Sequence, residues 1–144
     1  MAAQGTADRG AAVYVSARGT RALAEGDLVR ARACFAQSLA HWQAARDPGG
    51  IAFLLAHFAA LAAAEGRPQR AGQPAGAAAE QHARRGGPRT PALQAHLERL
   101  LEQVRRGPGG AAPAAATQEG RAMTLEQAVA DALADAPEDV PAPA

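Results

Sequence analysis

The chain has 144 residues and a net charge of +1, enough for one modest domain once unpatterned tails are set aside. All 15 basic residues are arginine, which excludes both a phosphate-loop lysine and a Schiff-base lysine. A single cysteine excludes an internal disulfide or a multi-cysteine metal site, and 3% aromatic residues is too few for a base-stacking nucleic-acid surface.

Charge is unevenly placed. As far as Gln118, 14 Arg stand against 8 acidic residues; from Glu119 onward one Arg stands against 6. The first ten residues contain no apolar run of the secretory kind. The longest apolar run, residues 51–64, is well short of the roughly 20 residues that span a bilayer. With Cys34 alone, these features predict a soluble, cytoplasmic chain that makes no membrane contact.

In chain order, residues 1–10 are small and polar without periodicity and are expected to be disordered. A first helix is predicted over 11–25, with Val15, Ala22 and Leu23 inward and Arg18 and Arg21 outward. Gly19 inside it marks a place where a neighbouring helix crosses. Ala24-Glu25-Gly26-Asp27 is a turn: Gly26 supplies the left-handed conformation and Asp27 caps the next helix. That helix shows Leu28, Ala31, Phe35, Ser38, Leu39 and Trp42 on one face, the spacing of a buried stripe. Asp47-Pro48-Gly49-Gly50 stops it, and an almost wholly apolar helix follows over 51–65.

An internal repeat is visible here. Ala24-Glu25-Gly26 followed by Arg30-Ala31 recurs 40 residues later as Ala64-Glu65-Gly66 followed by Arg70-Ala71, an offset typical of stacked helical hairpins. Pro68 fits the first turn of the fourth helix, whereas Pro74 falls inside it and should kink it. Ala75 stands where Phe35 stands in the first copy, so the second hairpin lacks a large anchor. RRGGPRTP (84–91) is a break. Thr90 then caps a helix with the stripe Leu93, Leu97, Leu100, Leu101 and Val104. GPGGAAPAAAT and the residues after it (107–122) read as a flexible linker. A short helix over 123–136 opens with a Thr124–Gln127 capping box, with Leu125, Val129 and Leu133 on one face and Asp131 and Asp135 on the other. Residues 137–144 form a tail expected to be disordered. The predicted fold is all-α: two helical hairpins and a packing helix (11–106), then linker and short C-terminal helix.

Gly19, Gly26, Leu28, Ala31, Phe35 and Ser38 match the tetratricopeptide pattern. The stretch LAEGDLVRARACFAQSLAHWQAARDPGGIAFLLAHFAALAAAEGRPQRA, with the closing EGRAMTLEQAVADAL, resembles the C-terminal tetratricopeptide-like repeat arm of LuxR-type ATP-dependent (STAND-class) bacterial transcriptional regulators. The resemblance covers roughly residues 13–134. It implies a sensor or protein-binding arm, without the ATPase module or DNA-binding domain that such regulators carry elsewhere. The expected function is therefore a non-enzymatic protein-interaction module, needing no cofactor and partnered by a protein such as an ATPase or DNA-binding regulator. Two alternatives remain open. One is a truncated remnant that folds only against a missing ATPase or repeat partner; the other is a weak DNA-binding accessory, which rests on the arginine surplus alone.

No catalytic constellation is present. His41, His57, His82 and His96 are widely separated, and none pairs with a second His or Cys at one-turn spacing, so they read as surface or core-edge residues. His57, within the apolar helix, is expected to hydrogen-bond a neighbouring hairpin. Cys34 reads as buried, Ser38 as a small packing residue, and Glu98 and Glu102 as a solvated face. Arg84-Arg85 and Arg105-Arg106 flank Gly-rich breaks and are assigned to solubility ahead of anion contact. A tetratricopeptide-like groove would be lined by the first helix of each hairpin: Val13, Ser16, Thr20 and Leu23, then Phe53, Ala56 and Ala60. The opposing expectation is that the helix carrying Leu93 to Val104 covers these residues and leaves no groove.

Overall fold

A computed structural model of the protein describes residues 2–86 and 90–134, with side chains from residue 5 onward. Among the described residues there are seven α-helices and no strand: α1 (Ala2–Ala24), α2 (Leu28–Ala44), α3 (Pro48–Ala64), α4 (Pro68–Arg85), α5 (Pro91–Arg105), α6 (Ala114–Ala122) and α7 (Leu125–Ala134).

One turn, recurring every 20 residues, sets the first four helices. Its left-handed residue is Gly26 (φ 80°), Arg46 (φ 53°), Gly66 (φ 74°) and Gly86 (φ 87°). At the first turn the Gly26 amide donates to Leu23 O (3.1 Å) and the Asp27 amide to Ala22 O (2.9 Å), which satisfies the last carbonyls of α1. The same pair of bonds closes α2 at Arg46 and Asp47, and α3 at Gly66 and Arg67. At Gly26, Arg46 and Gly66 the residue after the left-handed one opens the next helix. Asp27 and Asp47 accept from the amides of Arg30 and Gly50, and Pro48 and Pro68 occupy the first helical turn, where their missing N–H is no loss. The 40-residue repeat is thus two 20-residue helix units, and Arg46 hid the shorter period because it is not glycine.

α1 pairs with α2 and α3 with α4, while α2, α5 and α7 also pack on α3. α3 is the central helix. Ala52 and every residue from Leu54 to Ala63 are buried, so it is apolar all round because neighbours surround it. The main core joins Phe35 and Leu39 of α2 to Leu54, Leu55 and Leu61 of α3 and Leu100 of α5. Val15, Ala22 and Leu23 face inward and Arg18 and Arg21 outward, as the periodicity predicts. A Cβ on Gly19 would stand 2.6 Å from Phe35 Cε1, so α1 crosses α2 where only glycine fits. Ser38 is fully buried and its hydroxyl donates to Ala12 O at 2.7 Å. Thr90 caps α5 through the Leu93 amide, and Thr124 and Gln127 exchange both bonds of the capping box at α7.

Three expectations change. α1 starts at Ala2, not at residue 11: Arg9 Nε reaches Asp47 (3.1 Å) and Asp8 lies 3.5 Å from His41, so α2 and the α2–α3 turn give the polar first turns something to bind. Within the expected linker 107–122, α6 forms against α4. The reason is size. Gly72 and Gly76 on α4 meet Ala116 and Thr117 on α6, and Gly120 of α6 meets the Gln73 carbonyl, with no room for a side chain at any of the three glycines. The buried face of α4 is Ala, Gly and Pro, including Ala71 and Ala75, so it packs by close backbone approach instead of by a large anchor. Finally, Asp131 faces α4 and lies 3.4 Å from Arg70 instead of pointing away. Pro74 lies buried within a continuous α4. The tail expected at 137–144, and Asp135, fall outside the described residues. Among the described residues no helix is long and apolar enough to cross a membrane.

Candidate binding groove

Five helices enclose a groove of about 850 Å3. α1 supplies one wall through Val13, Ser16, Ala17 and Thr20, which share a face at helical spacing. The floor is the start of α3, from Asp47 through Gly50 to Phe53 and His57. Trp42 enters from the last turn of α2, His82 and Arg85 from the end of α4, and Leu93 and His96 from the start of α5. Gly50 matters here: a Cβ on it would run into the Trp42 ring, so its absence lets the indole lie against the backbone.

Phe53 is the hub. Its ring makes edge contacts with His57 (centroids 5.0 Å), His96 (5.8 Å) and His82 (6.3 Å). The His57–His96 geometry fixes the protons. His57 Nδ1 lies 2.9 Å from Phe53 O, which only accepts, so Nδ1 carries the hydrogen. His57 Nε2 is then bare and accepts from His96 Nε2–H at 3.0 Å. Burial pushes the His57 imidazole down to about 3, against the Phe53 bond, and His96 adds to the lowering. Burial also lowers His82, and burial together with Arg99 lowers His96. The three rings are therefore uncharged at neutral pH.

Asp47 is the acidic residue of the lining. Burial works to raise its carboxyl, but the Gly50 amide and Arg9 outweigh that and hold it below its usual value. Arg85 is the cation of the lining; its Nε donates to Gln81 Oε1 at 3.3 Å, and no carboxylate pairs with it among the described residues. Two buried polar atoms of lining residues have no hydrogen-bond partner: Trp42 Nε1 and His82 Nε2. No group of three or more His, Cys, Asp or Glu among the described residues is arranged to hold a metal ion.

Of the expected groove residues, the structure brings Val13, Ser16, Thr20 and Phe53 together on this surface. Leu23, Ala56 and Ala60 lie in the core, in the same apolar cluster as Leu97 and Leu100 of α5. Leu23, Ala56 and Ala60 are therefore inside the core, and Val13, Ser16, Thr20 and Phe53 are the ones that line the open groove. Trp42, His82, Arg85, Leu93 and His96 were not foreseen as lining, because they come from helix ends that meet only in three dimensions. His57 finds its hydrogen bond on α5, not on a neighbouring hairpin. Glu102 pairs with Arg105 and Arg106, and Glu80 with Arg84, as solvated faces do. Comparison with protein-family models, curated proteins and solved structures gives no match.

Proposed function

We propose that the chain is a non-enzymatic interaction module, similar to the C-terminal arm of a LuxR-type ATP-dependent regulator and working in the cytoplasm, and that its groove receives a short segment of a partner protein. The observation that carries this reading is the groove itself. It is concave, largely apolar and within the roughly 300–1,000 Å3 range of specific binding sites. Two of the chain's exposed large apolar residues, Val13 (54%) and Leu93 (41%), stand on its walls, where burial by a partner would remove them from water.

Peptide-display selection on the immobilised full chain tests the reading. Selected peptides should bind the wild type and lose at least about tenfold in affinity on a Val13→Glu/Leu93→Glu double variant, since a charge placed in an apolar contact costs more than 1.4 kcal/mol. Both positions are exposed, so the helical circular dichroism of the variant should match wild type. Failure to enrich any peptide, or equal binding to both proteins, would count against it. A second reading, a truncated piece of a larger array, has one observation in its favour: Tyr14 (66%) on α1 and Val29 (70%) on α2 are also exposed, as they would be beside a missing repeat.

A further inference from the structure

We propose that the segment received by the groove carries a carboxylate beside a large apolar side chain, and that Arg85 takes the carboxylate. The inference rests on the peptide-binding reading above and adds the chemistry of the occupant.

Every other ionisable group among the described lining residues is either occupied or neutral. Asp47 is held by Arg9 through Oδ2 (3.1 Å) and caps α3 through Oδ1 and the Gly50 amide (3.0 Å). His57 is enclosed between Phe53 O and His96, and its proton positions are fixed by those two bonds. His82 and His96 are uncharged for the reasons given above. Arg85 is left, bonded through Nε to neutral Gln81 and exposed at the α4 end of an otherwise apolar trough. Its two terminal nitrogens form the planar fork that binds a carboxylate through two parallel hydrogen bonds.

A basic segment would meet Arg85 as a like charge, and a neutral one would displace water from the guanidinium without replacing its bonds. Among the described lining residues Arg85 is the one cation, and nucleic-acid backbone binding needs several neutralised phosphates.

Trp42 is the sole tryptophan of the chain and lines the groove, so its emission reports occupancy without a label. The full chain is titrated with three N-acetylated, C-amidated pentapeptides that share Leu and Phe residues and differ at one position: Glu, Gln or Lys. Sodium decanoate serves as a fourth ligand. The Glu peptide should bind about tenfold tighter than the Gln peptide, and the Lys peptide weakest. Arg85→Gln, at an exposed position, should erase the Glu–Gln difference, chiefly by weakening the Glu peptide. Equal binding of the Glu and Gln peptides to wild type, or a difference that persists in Arg85→Gln, overturns the inference while the peptide reading stands. No binding by any of the three peptides overturns both. Decanoate binding without peptide binding also overturns both, and makes the occupant a small organic anion.

Discussion

Arg46 adopts, with a full side chain, the left-handed backbone that Gly26, Gly66 and Gly86 adopt without one. An L-residue with a Cβ pays roughly 1 kcal/mol there. Arg46→Gly should therefore raise unfolding stability by up to about 1 kcal/mol, and Gly26→Ala should lower it by a similar amount, as read by urea denaturation. A second residue-scale effect belongs to His57. Its pKa of about 3 in the folded chain lies below the ordinary value of 6.5. The unfolded chain thus binds the proton more readily, so stability is full above pH 6.5 and falls as pH drops toward 3. From pH 7 to pH 5 the loss from this group should be at most about 2 kcal/mol. The lowered His82 and His96 act in the same direction. Denaturation at the two pH values should show the drop, and His57→Gln should flatten it even though the variant starts less stable. A slope unchanged in His57→Gln would contradict this assignment. At this scale the sequence was readable wherever a residue type has one physical use. Gly19 announced a crossing and Phe35 fills it, and Thr124 and Gln127 announced a capping box that forms. Arg46 announced nothing, because the cost of its backbone is borne by the hydrogen bonds closing the turn.

Among the elements, α6 was the least visible. Its sequence, AAATQEGRA, has no large apolar side chain to anchor it, and with the Gly- and Pro-rich stretch before it such composition reads as linker. What orders it is the facing surface of α4, where Gly72 and Gly76 remove every obstacle to backbone approach. Local pattern cannot reveal such an interface, because each half looks like a weak helix until the other is present. Gly76→Val should break it: the new side chain would collide with the Thr117 carbonyl. The expected result is a loss of about 1–3 kcal/mol in stability and faster amide exchange across α6, with α1 and α2 unaffected. Slow exchange in α6 of the variant would contradict the packing described. The helices with apolar stripes, α2 and α5, were by contrast legible almost to their ends, since burial of one face is what their spacing encodes, and α3 was legible from its unbroken apolar run. α1 was legible only from residue 11, because its earlier turns are held by polar contacts to α2 and the α2–α3 turn and carry no apolar signal.

At the scale of the molecule, the groove is a product of where helices end. The α1 wall could be read in advance, because Val13, Ser16 and Thr20 lie on one helix face and need no partner to be aligned. Trp42, His82, Arg85 and Leu93 could not, since they belong to the first or last turns of three different helices and their meeting depends on the 20-residue spacing of the turns and on where α5 lies. The same dependence means that the groove exists only if the hairpins and α5 fold as one unit. Beyond the two hairpins, α5 and α7 also pack on α3. The measurement that tests this most directly is a thermal melt of the full chain, followed at once by helical ellipticity and by Trp42 emission. The account predicts a single, sharp and reversible transition with the same midpoint for both signals, because Trp42 reports the groove and ellipticity reports the helices around it. A gradual loss of ellipticity, or Trp42 emission already that of exposed indole before the helices melt, would contradict a self-supporting body and favour a piece of a larger protein.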